Sequence, residues 1–114
     1  MHRTSVYFRR AVNYISAHID EHISLNKISE HVGISVGYLG KIFKNYTGRT
    51  VIEYINIAKL NKVRELMQDR GLSLKEAGEQ TGFENEHYLS RLYKKLMGRS
   101  AREDKAVYYK NEDF

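Results

Sequence analysis

Thirteen residues of this 114-residue chain occur twice, fifty positions apart: Tyr38 to Thr50 read YLGKIFKNYTGRT, and Tyr88 to Ser100 read YLSRLYKKLMGRS. Tyr, Leu, Lys, Gly and Arg recur identically, while Lys/Arg, Ile/Leu, Phe/Tyr and Thr/Ser replace one another in kind. A chain built this way is expected to fold as two copies of one unit. Because both copies are basic, they point to one extended anionic partner touched at two places.

The repeat extends upstream. SLNKISEHVGIS from Ser24 and SLKEAGEQTGFE from Ser73 are short amphipathic stretches, each closing on a glycine followed by an apolar residue, Gly33-Ile34 and Gly82-Phe83. The pattern predicts helix, tight turn and second helix, twice over. Gly33 and Gly82 stand where a left-handed backbone reverses the chain without a Cβ penalty. A helix bearing Lys/Arg and small polar residues, braced by a shorter helix, is the helix-turn-helix arrangement that fits a major groove.

Length allows one compact domain, or two very small ones sharing a core. Apolar residues make up 41% and charged residues 29%, enough for a folded chain, and the formal charge of +5 with a pI near 9.4 favours nucleic acid or another anionic surface. There are no cysteines, which excludes disulfides, zinc fingers and thiol catalysis and fits a reducing cytoplasm, the expected location. No stretch approaches the ~18 apolar residues of a membrane span, so no membrane partner is expected. Proline is absent and apolar residues recur at spacings of three and four, so the chain reads as all-α, with about seven helices.

Val6, Phe8, Val12, Ile15, Ile19 and Ile23 predict a first helix from about Thr4 to His22. Ser24 caps a short helix, Leu25 to Val32, and Ser35 caps the next, which stops at Gly48. Thr50 with Glu53 is a capping box that opens a long helix to about Asp69. Ser73 with Glu76 opens a helix ending near Thr81, Asn85 caps the second recognition helix up to Gly98, and Ser100 with Glu103 begins a short final helix. The tail VYYKNEDF is expected to fray. The expected organisation is a first helix-turn-helix subdomain over residues 1–49, a connecting helix over 50–70 and a second helix-turn-helix subdomain over 71–114. At ~1.5 Å per residue the connector would be about 27–30 Å long, close to the ~34 Å between successive major-groove faces on one side of a duplex.

These residues resemble the DNA-binding domain of AraC/XylS-type transcription regulators, which consists of two helix-turn-helix units joined by one long helix. The similarity covers about Leu25 to Asp104, and its most specific block is GFENEHYLSRLYKKLMGRS, from Gly82 to Ser100. The turn between Gly82 and Tyr88 is one residue longer than that between Gly33 and Tyr38, as in the family. Departures are Leu89 and Tyr93 where the family has phenylalanines, and Ala101 and Val51 where it favours proline.

The resemblance implies which positions face base edges: Gly37, Gly40 and Lys41 in the first recognition helix, and Glu86, His87, Ser90 and Arg91 in the second. Two glycines bring no side chain to a groove, so the first unit is expected to read little sequence; Lys41 could bond guanine O6/N7 or simply a phosphate. Arg91 can make the bidentate guanine contact worth ~1–3 kcal/mol of discrimination, and Glu86 can either accept from cytosine N4 or, since a carboxylate near phosphates is unfavourable, serve the helix N-terminus instead. Phosphate anchoring is expected from Ser35, Lys44, Arg49, Lys94, Lys95 and Arg99, together with the N–H groups at helix starts.

Blander expectations stand beside these. Tyr38, Leu39, Ile42 and Phe43, with Tyr88, Leu89, Leu92 and Tyr93, form an apolar stripe expected to be mainly core. The lysines and arginines opposite could be only a solvated face, a reading that duplication argues against. His18, Glu21 and His22 match H-x-x-E-H, a zinc-peptidase pattern that on one helix would align two imidazoles. With no third ligand and no room for a substrate cleft, solvent-exposed histidines near a helix end are the expected explanation. No Ser-His-Asp or Cys-His set and no phosphate-cradling glycine loop is present, so no metal, no cofactor and no enzymatic activity are expected.

The expected function is therefore sequence-specific binding of double-stranded DNA by a transcription regulator, with recruitment or exclusion of RNA polymerase as the effect. The resemblance implies an effector or dimerisation domain elsewhere in a longer regulator. The alternative is a protein-interaction module that keeps the shell, has lost DNA reading, and docks on RNA polymerase or another regulator.

Overall fold

The computed structural model describes the backbone of residues 3–112 and the side chains of residues 3–106. Among the described residues there are seven helices and no strand: α1 Arg3–Ala17, α2 Leu25–Val32, α3 Val36–Thr47, α4 Val51–Arg70, α5 Leu74–Glu79, α6 Glu86–Met97 and α7 Ala101–Glu112. The fold is all-α, as the apolar spacing predicts.

Nearly every boundary follows from local chemistry. Ser24 and Ser35 accept hydrogen bonds from the backbone N–H groups of Lys27 and Tyr38, both at 3.1 Å, and Asn85 accepts from that of Tyr88 at 2.9 Å. Each satisfies one of the donors that a helix start leaves unpaired. The capping boxes form reciprocally: Glu53 N–H donates to Thr50 Oγ1 at 3.1 Å while Thr50 N–H donates to Glu53 Oε1 at 3.0 Å. Ser73 with Glu76 and Ser100 with Glu103 repeat the arrangement.

Val51 and Ala101 are the first residues of α4 and α7 and are buried. A proline is readily accommodated at such a position because its missing N–H would have no intrahelical partner. Val and Ala there keep the apolar contact, so the departures from the family pattern leave both helix starts in place.

The chain divides into two compact units, Met1–Ala58 and Lys59–Phe114. The boundary falls within α4, the stretch read from the sequence as a connector, because the two halves of that helix feed different cores. In unit 1, Val51 and Ile55 join Ala11, Ile15, Ile23, Ile28, Val32, Leu39 and Phe43. Phe43 lies at its centre, 5.0 Å from the Phe8 ring and 5.2 Å from that of Tyr54. In unit 2, Leu60, Val63, Leu66 and Met67 join Ala77, Leu89, Tyr93 and Ala101.

Two helix ends differ from expectation. The first helix stops at Ala17, not His22: His18 N–H bonds the carbonyls of both Tyr14 and Ile15, and the chain turns so that Ile23 enters the core before the Ser24 cap. His18 and His22 therefore do not share a helical face. His18 Nδ1 instead lies 2.9 Å from Glu21 Oε2, and among the described residues no group of metal-ligating side chains assembles. At the other end, α7 runs through Glu112, where fraying is expected from the sequence. Nothing between Val107 and Glu112 is a glycine or proline that would stop it. Residues 113–114 lie outside the described residues.

Candidate nucleic-acid interface

Each unit contains a shorter helix, a glycine turn and a longer helix. In unit 1 the turn is made by Gly33, with φ +86°, whose N–H bonds the Ser29 carbonyl at 2.8 Å; Ile34 N–H bonds the same carbonyl at 3.1 Å. In unit 2 Gly82 has φ +81° and Phe83 N–H bonds the Gly78 carbonyl at 2.9 Å. A residue with a Cβ would be strained at either glycine. The turns deliver α3 and α6 with their apolar faces inward: Leu39 and Phe43 in the first, Leu89 and Tyr93 in the second, all at most 1% exposed.

On the opposite face of α3, Gly37, Lys41 and Lys44 follow one another at helical spacing and are exposed, with Gly40 half-buried beside them. Ser35 and Arg49, at the two ends, are also exposed. Beyond its chain neighbours and its own helix backbone, an ideal Cβ at Gly37 or Gly40 would meet no atom within 4 Å. The fold itself therefore does not require glycine at either place. On α6, Glu86, His87, Ser90, Arg91, Lys94 and Lys95 are all exposed. Among the described residues Lys41, Lys44, Arg49, Arg91, Lys94 and Lys95 take part in no ion pair, so their charges face solvent.

Arg99 differs from its counterpart Arg49. Its Nε lies 3.3 Å from Asp104 Oδ1 and 3.9 Å from Glu103 Oε2. Asp104 is buried and also accepts a 2.5 Å hydrogen bond from the hydroxyl of fully buried Tyr93. Burial first, and then this hydrogen bond, push the Tyr93 phenol far above its usual value of 10.0. Fifty residues earlier the corresponding pair is Phe43 against Tyr54, an aromatic contact without charge. The second unit has thus replaced an apolar pair by a polar one, and Arg99 partly neutralises the carboxylate left in its interior. The Arg99 guanidinium is therefore held by carboxylates, as that of Arg49 is not among the described residues.

Two lysines tie backbone ends together in unit 2. Lys59 is buried and its Nζ donates to the Thr81 carbonyl at 2.8 Å, placing a positive charge just past the end of α5. Lys105 donates to the Gly71 and Leu72 carbonyls at 3.2 and 3.0 Å, completing the end of α4. Neither residue stands out in the sequence, because the partners are backbone carbonyls contributed by distant positions.

One group of residues read from the sequence as core is not core throughout. Leu39, Ile42, Phe43, Leu89 and Tyr93 are buried and Leu92 is partly so, but Tyr38 and Tyr88 are 40% and 47% exposed. At 3.6 residues per turn, a residue one step before Leu39 or Leu89 is turned by ~100° from it. Each tyrosine therefore falls at the margin of the outward face.

Residues 28–106, more than half of the chain, match the family model described as a helix-turn-helix domain. The HTH-type transcriptional activator Btr of Bacillus subtilis is 39% identical over 80 residues, which are 70% of this chain and 15% of the activator. The arabinose operon regulatory protein of Salmonella typhimurium is 28% identical over 99 residues, 86% of this chain and 35% of that protein. This chain thus spans well under half the length of either. Among solved structures, a transcriptional regulator with an AraC-type DNA-binding domain from Chromobacterium violaceum superposes with a TM-score of 0.86 at 29% identity, covering 91% of this chain and 93% of that one. The duplicated capped helices, the glycine turns and these likenesses agree, and the chain belongs to the helix-turn-helix domain family of AraC/XylS type.

Proposed function

We propose that this chain is the sequence-specific DNA-binding part of a transcription regulator, with α3 and α6 entering successive major-groove segments of one duplex. The observation that carries the reading is the outward face common to both helices: each is capped, anchored on its inner side, and lined outside by cations that form no ion pair among the described residues.

In this reading Arg91 reads a guanine edge from α6, with Glu86, His87 and Ser90 beside it. On α3, Lys41 is flanked by the bare backbone of Gly37 and Gly40 and adds little discrimination. Lys44, Arg49, Lys94 and Lys95 bind phosphates, assisted by Ser35 and the N–H groups at the helix starts. Arg99 joins them more weakly because Asp104 holds it. RNA polymerase as a partner, an effector or dimerisation domain in the longer regulator and a cytoplasmic location belong to the same proposal. No cofactor or catalytic step is part of it. Among the described residues, no helix is long and apolar enough to cross a membrane.

The test is selection of bound duplexes from a random pool at about 150 mM salt, near physiological screening. Two enriched blocks about one helical turn apart are expected, the stronger one lost in Arg91→Ala. Lys41→Ala should weaken all sequences alike. Binding without enrichment would refute sequence reading. No binding even at low salt would favour the protein-interaction module.

A further inference from the structure

Tyr38 and Tyr88 are the same residue at the same place in both copies, and the fold does not hide either. Each is the third residue of its helix, with its N–H held by the cap, Ser35 Oγ at 3.1 Å or Asn85 Oδ1 at 2.9 Å. The root of each side chain is therefore fixed. The next residue, Leu39 or Leu89, is at most 1% exposed, while the tyrosines stand 40% and 47% open. A single exposed tyrosine needs no explanation. A pair kept identical through a duplication in which most neighbours changed does.

The helical geometry says what these side chains are beside. Tyr38 is turned by ~60° from Lys41 and ~20° from Asn45, and Tyr88 by the same angles from Arg91 and Lys95. Each phenol thus borders the cationic strip, toward the N-terminal end of a twelve-residue helix, where partial positive charge favours an anion. A phenol hydroxyl at neutral pH is an uncharged donor, and its ring presents an apolar face. A phosphodiester backbone offers the complement: an anionic oxygen to accept, and a sugar edge to lie against.

On the DNA-binding reading given above, we infer that Tyr38 and Tyr88 form a matched pair of backbone contacts. Each hydroxyl donates to a phosphate oxygen at the rim of the groove that its helix enters. The two are not equal. The Tyr7 ring meets Tyr38 edge-on, with centroids 6.1 Å apart and planes at 78°, and so narrows its positions before binding. Tyr88 has Glu86 in its own first turn, a carboxylate that opposes an incoming phosphate. Tyr38 is therefore the stronger contact.

Tyr38→Phe and Tyr88→Phe remove only the hydroxyl. Binding of each variant to the selected duplex and to a scrambled one is measured across a salt series, with thermal unfolding alongside. The expected result for Tyr38→Phe is about three- to tenfold weaker binding to both duplexes, and a smaller loss for Tyr88→Phe. The slope of log affinity against log salt should not change, since a neutral donor displaces no counterion, whereas Lys44→Ala should reduce it by about 0.9. Unaltered affinity in both variants would overturn the inference while leaving DNA binding intact. A loss confined to the selected duplex would assign the hydroxyls to base reading, and a loss matched by a lower Tm would assign them to the fold; either overturns it. Failure of the unsubstituted protein to bind any duplex at low salt would sink the underlying reading instead.

Discussion

Replacing Gly40 by alanine should make this protein more stable and a poorer ligand for DNA. Gly40 is the fifth residue of α3 and has the right-handed backbone of the helix around it; it is absent from the five glycines with positive φ. The added methyl would meet nothing within 4 Å beyond its chain neighbours and its own helix backbone. With no strain and no clash, what remains is the backbone entropy that glycine loses on folding, worth about 0.5–1 kcal/mol per site. Gly37, equally open but in the first turn, contributes at the lower end of that range. Gly37→Ala with Gly40→Ala should therefore add roughly 1–1.5 kcal/mol to unit 1, on the order of 5–10 °C in Tm for a unit of this size. Thermal unfolding followed by circular dichroism at fixed pH and salt measures it. If the helix backbone approaches a duplex closely at these bare positions, affinity falls as Tm rises. An unchanged or lowered Tm would refute the reasoning, for it would mean that the glycines serve the fold after all.

Gly78→Ala, the same chemical change in α5, should have the opposite sign. Its Cβ would clash with Leu89 Cδ2, and Leu89 is 1% exposed and cannot swing away; an overpacking cost of ~1–3 kcal/mol outweighs the helix gain, so a raised Tm would contradict the packing described. Stability should also fall at both ends of the pH scale. Glu53, Glu76 and Glu103 are held below their usual value of 4.5, first by the capping hydrogen bonds of Thr50, Ser73 and Ser100. Their contribution is present above 4.5 and is lost as pH falls through the lowered native values. Tyr93 has the raised value, so its contribution is complete below 10.0 and is lost as pH rises beyond, when the unfolded phenol ionises and the native one does not. Tm against pH should show both limbs, and Tyr93→Phe should flatten the alkaline one; an alkaline limb of the same steepness in that variant would exclude the mechanism.

The capping residues made most of the chain legible from its sequence. Ser24, Ser35, Thr50, Ser73, Asn85 and Ser100 each act on the N–H group three positions on, so the signal and its effect lie within one turn of chain. The glycine turns are equally local. Together with the duplication, they determined the helices, their order and the two similar units.

Only the tertiary structure decided which edge of each recognition helix is covered, because burial depends on what packs against it. A turn of ~100° separates Leu39 from Tyr38, and that difference moved two tyrosines from the expected core to the outward margin. The early end of α1 was likewise set by the need to bring Ile23 into a core assembled from other helices. The roles of Lys59, Arg99 and Asp104 depend on partners from other elements or from the protein interior. Three helical glycines that look alike in the sequence separate for the same reason: Gly37 and Gly40 face open space and Gly78 faces Leu89. Local backbone chemistry acts at short range and can be read along the chain, whereas exclusion of water and steric contact exist only once distant residues have been brought together.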